Sequence, residues 1–231
     1  MVMAVEVFVV NALRELSDKE FENALSLVDS EQKERIMRYR FMADRKRGLI
    51  GILLAEYAIS KAFGINPDEM RFEKNKYGKP HVVGKHGVHY NISHSGDYVV
   101  CAVGSTPVGI DIQEIKGGNL DIADRFFSKE EKEGLALETS EDAKRKLFYD
   151  IWSLKEAYIK CIGMGLSMPL EDFGVVQRDG EYELIVKGER DDAYHFKKYD
   201  MPGSYSLCVC SKEDSFPTEY TELGYNEIIE I

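Results

Sequence analysis

Cysteine is scarce in these 231 residues, and the four present are placed where they exclude chemistry. Cys101, Cys161, Cys208 and Cys210 lie in apolar surroundings and form no C-x-x-C pair, so neither a thiolate zinc site nor a dithiol redox site is indicated. They read as small core residues of a reduced protein. No apolar run approaches membrane-spanning length. The opening MVMAVEVFVVNAL carries Glu6 and lacks both a basic start and a small-residue cleavage site, so it reads as a first strand rather than a signal peptide. A soluble, cytoplasmic protein with no membrane contact is expected. Basic residues are outnumbered, 30 Lys and Arg against 41 Asp and Glu, and a net charge of -11 argues against a nucleic-acid partner. His86, His89 and His94 have no cysteine at a zinc-like spacing. There is no Walker loop, Rossmann fingerprint or G-x-S-x-G elbow.

What is present is a chain long enough for one large domain or two small ones, with 44% apolar residues. Against its overall acidity stands a basic block, Lys33, Arg35, Arg38, Arg40, Arg45, Lys46 and Arg47. Such a block is either a solvated helix face or a binding surface for a small anion.

Two helical stretches follow the first strand. SDKEFENALSLV opens on Ser17 with Glu20 three residues on, a capping box. Residues 29–64 read as one further helical run, amphipathic at first, then nearly all apolar from Leu49 to Ala62, and ending at Gly64. Residues 70–115 alternate short β-rich runs with turn residues, as antiparallel strands do. Ser128 and Glu131 form another capping box, and a strong helix follows through YDIWSLKEAYIKCIG. Asp179-Gly180 marks a hairpin turn in the strand-like final third.

The two long helices end alike, KAFGINPDEMRF from Lys61 and KCIGMGLSMPLEDF from Lys160, and each leads to strands closing on a similar run, YVVCAV and YSLCVC. The glycines are 163 − 64 = 99 residues apart and the tyrosines 205 − 98 = 107. Two related α+β halves follow, divided at 1–106 and 107–231, with a ligand expected between them because small-molecule sites favour such interfaces.

In PVGIDIQEI, period two sends Gly109, Asp111 and Gln113 to one face, opposite the isoleucines. This oxygen-rich patch suits a hard cation, although a solvent-facing Asp on an edge strand would show the same pattern. Trp152, Glu156 and Lys160 recur every four residues along one helix face. An exposed Glu-to-Lys pair is the ordinary reading. A second carboxylate for a metal, beside a lysine for phosphate, is the other.

The ordered set YGKPHV, NISHSGDYVVCAV, VGIDIQEI, RFFSKEE and WSLKEAYIKCIGMGLS resembles the 4′-phosphopantetheinyl transferases, in particular the larger pseudo-dimeric, Sfp-type members. That resemblance implies an α+β fold of two similar halves related by pseudo-twofold symmetry, with coenzyme A bound between them. It implies transfer of the phosphopantetheine arm of coenzyme A to a serine of an acyl or peptidyl carrier protein, with Mg2+, or Mn2+ in its place, as cofactor. By the same resemblance Asp111, Gln113 and Glu156 form the metal site. Glu156, Lys160 and Glu131 would be catalytic, either glutamate serving as base. Coenzyme A would be bound by Lys33, Arg47, the backbone of Gly78, Lys79 and Pro80, and by Ser93, His94, Lys155 and Lys160. The family's D-x-E metal motif is Asp111-Ile112-Gln113 here, one negative charge fewer. The rival reading is a coenzyme A-binding regulatory protein without turnover. The segment Gly163 to Leu170 is a candidate docking edge for the carrier, and a monomer is expected because both halves lie in one chain.

Overall fold

A computed structural model describes residues 3–12, 16–117 and 120–229, apart from the side chain of Leu166. The first half runs β1 (Glu6–Asn11), α1 (Asp18–Ala24), α2 (Ser30–Met37), α3 (Met42–Phe63), the hairpin strands β2 (Phe72–Lys74) and β3 (Pro80–Val82), then β4 (His89–Ser95) and β5 (Tyr98–Gly104). The second half repeats the order: β6 (Val108–Glu114), α4 (Ala123–Phe126), α5 (Lys129–Leu137), α6 (Glu141–Ile162), β7 (Phe173–Arg178), β8 (Glu181–Val186), the short β9 (Glu189–Asp191), β10 (His195–Tyr199) and β11 (Tyr205–Ser211). In each half the first strand pairs antiparallel with the last, and the last with the strand before it: β1–β5–β4 in one, β6–β11–β10 in the other. This bears out the expected pair of similar α+β halves.

Local chemistry sets the element ends. Ser17 and Ser128 each accept from the backbone of the third helical residue, and Glu20 and Glu131 return the bond to the cap, so both expected capping boxes form. The long helices α3 and α6 have 22 residues each and stop at Gly64 (φ 65°) and Gly163 (φ 70°), left-handed positions that a Cβ would strain. Asp179 and Gly180 both take positive φ between β7 and β8, as a two-residue hairpin turn requires.

Strand alternation divides the core into layers. Phe8, Val10, Val99, Cys101 and Val103 face α3, whereas Val7, Val9, Val100 and Ala102 face the second sheet. There they meet Val108, Ile110, Ile112, Leu207 and Val209, while Cys208 and Cys210 on the opposite face of β11 meet α6. The order is helix, sheet, sheet, helix, and each such apolar side chain contributes roughly 1.5–3 kcal/mol by leaving water.

Two expectations are corrected. The helical run 29–64 is broken at residues 38–41, where Phe41 turns extended (φ −101°, ψ 142°). Arg45 stabilises the break by donating from Nε to Tyr39 O (2.9 Å) and from Nη2 to Met37 O (3.3 Å), which satisfies carbonyls at the end of α2. The final residues, which by sequence belong to the second half, return to the first. Val5 N donates to Ser215 O, β12 (Thr221–Glu222) lies parallel to β1, and α7 (Tyr225–Ile229) buries Tyr225 and Ile228, with Leu223 beside it, in the first core. Among the described residues no helix is long and apolar enough to cross a membrane.

Candidate active site at the seam between the halves

Strand β6 lies at the edge of its sheet, so its outward N–H groups need partners from elsewhere. The partners are side chains of β4. Asn91 Oδ1 accepts from Ile110 N (2.9 Å), Ser93 Oγ from Ile112 N (3.4 Å) and Ser95 Oγ from Glu114 N (3.0 Å). Each pair is 19 residues apart, so the two strands run parallel, laced by every second side chain of NISHS. The other alternation of β4, Tyr90 and Ile92, packs on the first core. The dense polar stretch is thus the stitching between the halves.

The site is built on this seam. Asp111 is 1% exposed, so the edge-strand position does not leave it in solvent: α6 covers its face, and a Cβ at Gly109 would collide with Ala157 O and Cys161 N. Its Oδ1 accepts from Ser93 Oγ (2.9 Å) and from Lys160 Nζ (2.5 Å), and its Oδ2 from Gln113 Nε2 (2.9 Å). Lys160 Nζ also donates to Ser93 Oγ (2.9 Å) and Ile110 O (3.3 Å). Glu156, one helical turn before Lys160, is half-buried. Burial and then the charge of Asp111 push its carboxyl pKa up, while Lys160 pulls it down. Two carboxylates beside a lysine are hard-oxygen donors of the kind Mg2+ takes together with substrate phosphates, and the Gln113 amide next to them turns its NH2 to Asp111. Among the described residues no group of three or more His, Cys, Asp or Glu is placed to hold a metal; Gln113, two residues from Asp111, is an amide.

His94 and Arg47 border this cluster on the first half. His94 is exposed at the surface, and its pKa is lowered by partial burial and then by Arg47 and Lys160. Arg47, on α3, donates from Nη1 to Gly96 O (2.7 Å) and pairs through Nη2 with Asp44 (2.5 Å), which holds the guanidinium against the β4–β5 turn. Lys33 lies exposed on α2. Lys79 reaches across the seam and donates to Val108 O (3.0 Å), Lys160 O (2.6 Å) and Cys161 O (3.1 Å), a cation at the C-terminus of α6. Asn75 assists by donating to Gly163 O (3.0 Å). Gly78 (φ 91°) makes the turn between them, and Pro80 begins β3.

Two residues expected at the ligand or the chemistry lie elsewhere, and a third, Ser93, is at the site but turned inward. Lys155 is 1% exposed and Glu131 2%, in a buried ion pair of 2.8 Å. Lys155 Nζ also donates to Phe173 O (2.5 Å) and sits over the rings of Phe173 and Phe127, and burial lowers its pKa despite Glu131. Glu131 accepts in addition from Ser128 N (2.7 Å) and Val175 N (2.8 Å). So engaged and sealed, Lys155 cannot meet a coenzyme and Glu131 cannot take a proton from a carrier serine. Ser93 is 7% exposed, and its hydroxyl is spent on Asp111, Lys160 and the β6 backbone, so it orients the site from inside. The expected docking edge is mixed: Met164 is exposed, but Met168 and Leu170 pack into the second core. Sequence reasoning did not assign Asn91 and Ser95; their spacing of two around Ser93 was the available signal.

The fold and this lysine–carboxylate seam define a class. The model of the 4′-phosphopantetheinyl transferase N-terminal region matches residues 15–106, and that of the 4′-phosphopantetheinyl transferase superfamily matches 107–210. The chain belongs to the 4′-phosphopantetheinyl transferases. It is an enzyme of their Sfp type: it is 37% identical over 217 residues to 4′-phosphopantetheinyl transferase Sfp of Bacillus subtilis, covering 94% of this chain and 96% of that one. The transferase gsp of Aneurinibacillus migulanus is 31% identical, covering 90% and 86%. The rat L-aminoadipate-semialdehyde dehydrogenase-phosphopantetheinyl transferase is 30% identical, covering 92% and 81%.

Proposed function

We propose that this transferase moves the phosphopantetheine arm of coenzyme A to a serine of an acyl or peptidyl carrier protein at the seam described above, as a cytoplasmic monomer. The observation that carries the reading is the convergence of Asp111, Glu156 and Lys160 where β6 and α6 meet β4. Coenzyme A would lie along the seam. Lys79 and Pro80 border a cleft of about 230 Å3, also lined by His89, Cys161 and Gly163, that is suited to the adenine, and Gly78 makes the turn leading into it. Arg47 and His94 would face the phosphates, with the exposed Lys33 of α2 as a further cation. Mg2+ held by Asp111 and Glu156, with Gln113 contributing its amide oxygen or a water, would neutralise the diphosphate and make it a better electrophile.

The carrier serine oxygen attacks the phosphorus that bears the pantetheine arm. Glu156, directly or through a water, takes the serine proton. The bridging P–O bond of the diphosphate breaks, and adenosine 3′,5′-bisphosphate leaves with its new charge stabilised by the Lys160 ammonium. The test is the intact mass of an apo carrier protein after incubation with the enzyme, coenzyme A and Mg2+. A gain of one phosphopantetheine arm, lost in Asp111→Ala and without metal, is the expected result. No gain on fatty-acid, peptide-synthetase or polyketide carriers, despite coenzyme A binding, would refute it.

A further inference from the structure

Asp111 has three donors on two oxygens. Ser93 and Lys160 take both lone pairs of Oδ1, and the Gln113 amide takes Oδ2. The amide must present its NH2 there, since only that end can donate to a carboxylate, so its carbonyl is turned away from Asp111. A ligand set in this arrangement is neutralised by the protein's own cation. A divalent ion that approached Asp111 would meet an ammonium 2.5 Å from Oδ1, and within this buried seam like charges at such range repel strongly.

The two partners differ in freedom. Asp111 is fixed, with its side chain 2% exposed, whereas that of Lys160 is 25% exposed and ends a four-carbon stem at the surface of the seam. His94 lies close enough to feel its charge and that of Arg47, and these are the basic groups assigned above to the phosphates. A diphosphate placed beside them offers the ammonium a doubly charged partner without moving the backbone.

We propose that Lys160 is an exchangeable resident cation of Asp111, displaced from Oδ1 by a divalent metal only when the diphosphate of coenzyme A draws the ammonium away. Metal and coenzyme A then bind cooperatively through one side chain, and the coupling is reciprocal. Gln113 sharpens the dependence, because an amide adds a donor to Asp111 where a carboxylate would add a second charge for the metal. The inference rests on the function proposed above.

The test is Mn2+ binding to the full-length protein followed by electron paramagnetic resonance, alone and with saturating coenzyme A, corrected for Mn2+ held by coenzyme A itself. Wild type should bind Mn2+ at least about tenfold more tightly with coenzyme A than without. Lys160→Met should bind Mn2+ alone at least about tenfold more tightly than wild type, and the gain from coenzyme A should shrink by a similar factor. Lys160→Arg, which keeps a cation within reach of Asp111, should retain the wild-type order. Unchanged Mn2+ affinity in folded Lys160→Met overturns the exchange; should that variant fail to fold, Lys160→Gln carries the same comparison. Wild-type transfer to a carrier alongside an unchanged Mn2+ affinity would sink the exchange alone, while a wild type that binds no coenzyme A would sink the functional reading with it.

Discussion

The two halves share a frame and differ in what fills one position of it. Phe8 of β1 pairs with Cys101 as Asp111 of β6 pairs with Cys208, and the helices repeat with an offset of 99, so Tyr57 of α3 corresponds to Glu156 of α6. In the first half that couple is an edge-to-face aromatic pair with ring centroids 5.8 Å apart. In the second it is two carboxylates whose charges raise one another's cost. The next position repeats the contrast: Glu56 and Lys155 correspond, but Lys155 has Glu131 as a buried partner, whereas Glu56 is half-buried and its pKa is pushed up to about 7 by desolvation. One copy of the fold spends its helix–sheet contact on apolar packing. The other gives that contact to chemistry and depends on compensating charges to keep it folded.

The strongest way to break the comparison is to make the second half like the first. Asp111→Phe combined with Glu156→Tyr should leave a folded chain with transfer reduced on the order of 10^3-fold or more, read from carrier mass gain over time. A variant that keeps appreciable transfer would remove these carboxylates from the reaction. Next in size is the buried pair. Lys155→Met leaves the Glu131 charge buried without its cation and should destabilise the fold by about 3–5 kcal/mol in urea unfolding, and Glu131→Gln added to it should recover part of that loss, because the amide removes the charge and its oxygen keeps one of the two backbone N–H bonds. If the single change proved harmless, the pair would not be what secures α5 and β7 to α6.

Glu56 sharpens the contrast through pH. Its folded pKa of about 7 lies above the ordinary 4.5, so the folded state holds the proton more firmly than the unfolded one. Stability is full below about pH 4.5, falls as the unfolded chain ionises between the two values, and above pH 7 is lower by at most about 3 kcal/mol. Glu56→Gln should therefore stabilise the protein at pH 8 and do little at pH 4.5, as thermal unfolding at the two pH values would show. Smallest is the lacing itself. Asn91→Leu leaves Ile110 N–H buried without its partner and should cost about 1–3 kcal/mol, and Ser95→Ala less because that position is only half-buried.

Much of this is written in short-range pattern. Capping boxes at Ser17 and Ser128, glycines at 64 and 163, and the Asp179-Gly180 turn act within a few residues, so they are legible in the order of residues alone. The face carrying Gly109, Asp111 and Gln113 is legible for the same reason, since strand alternation depends only on the backbone. The Glu131 capping box is equally visible and already accounts for one carboxylate oxygen, a signal against the catalytic role that the family resemblance implied.

The sequence by itself determined the two-fold repetition, the ends of the long helices and the strand and helix faces that carry Asp111 and Glu156, because these follow from local sterics and from the period of strand and helix. Tertiary structure alone decided the rest. Arg45 and the ring of Tyr39, resting where Gly48 has no side chain, stabilise the break after α2. The chain's last strand and helix complete the first core, about two hundred residues away from β1. Lys155 and Glu131 turn inward and Ser93 turns to Asp111. Each is a contact between residues far apart in the chain, and whether a polar side chain faces water or a buried partner is settled only when the layers that enclose it are assembled.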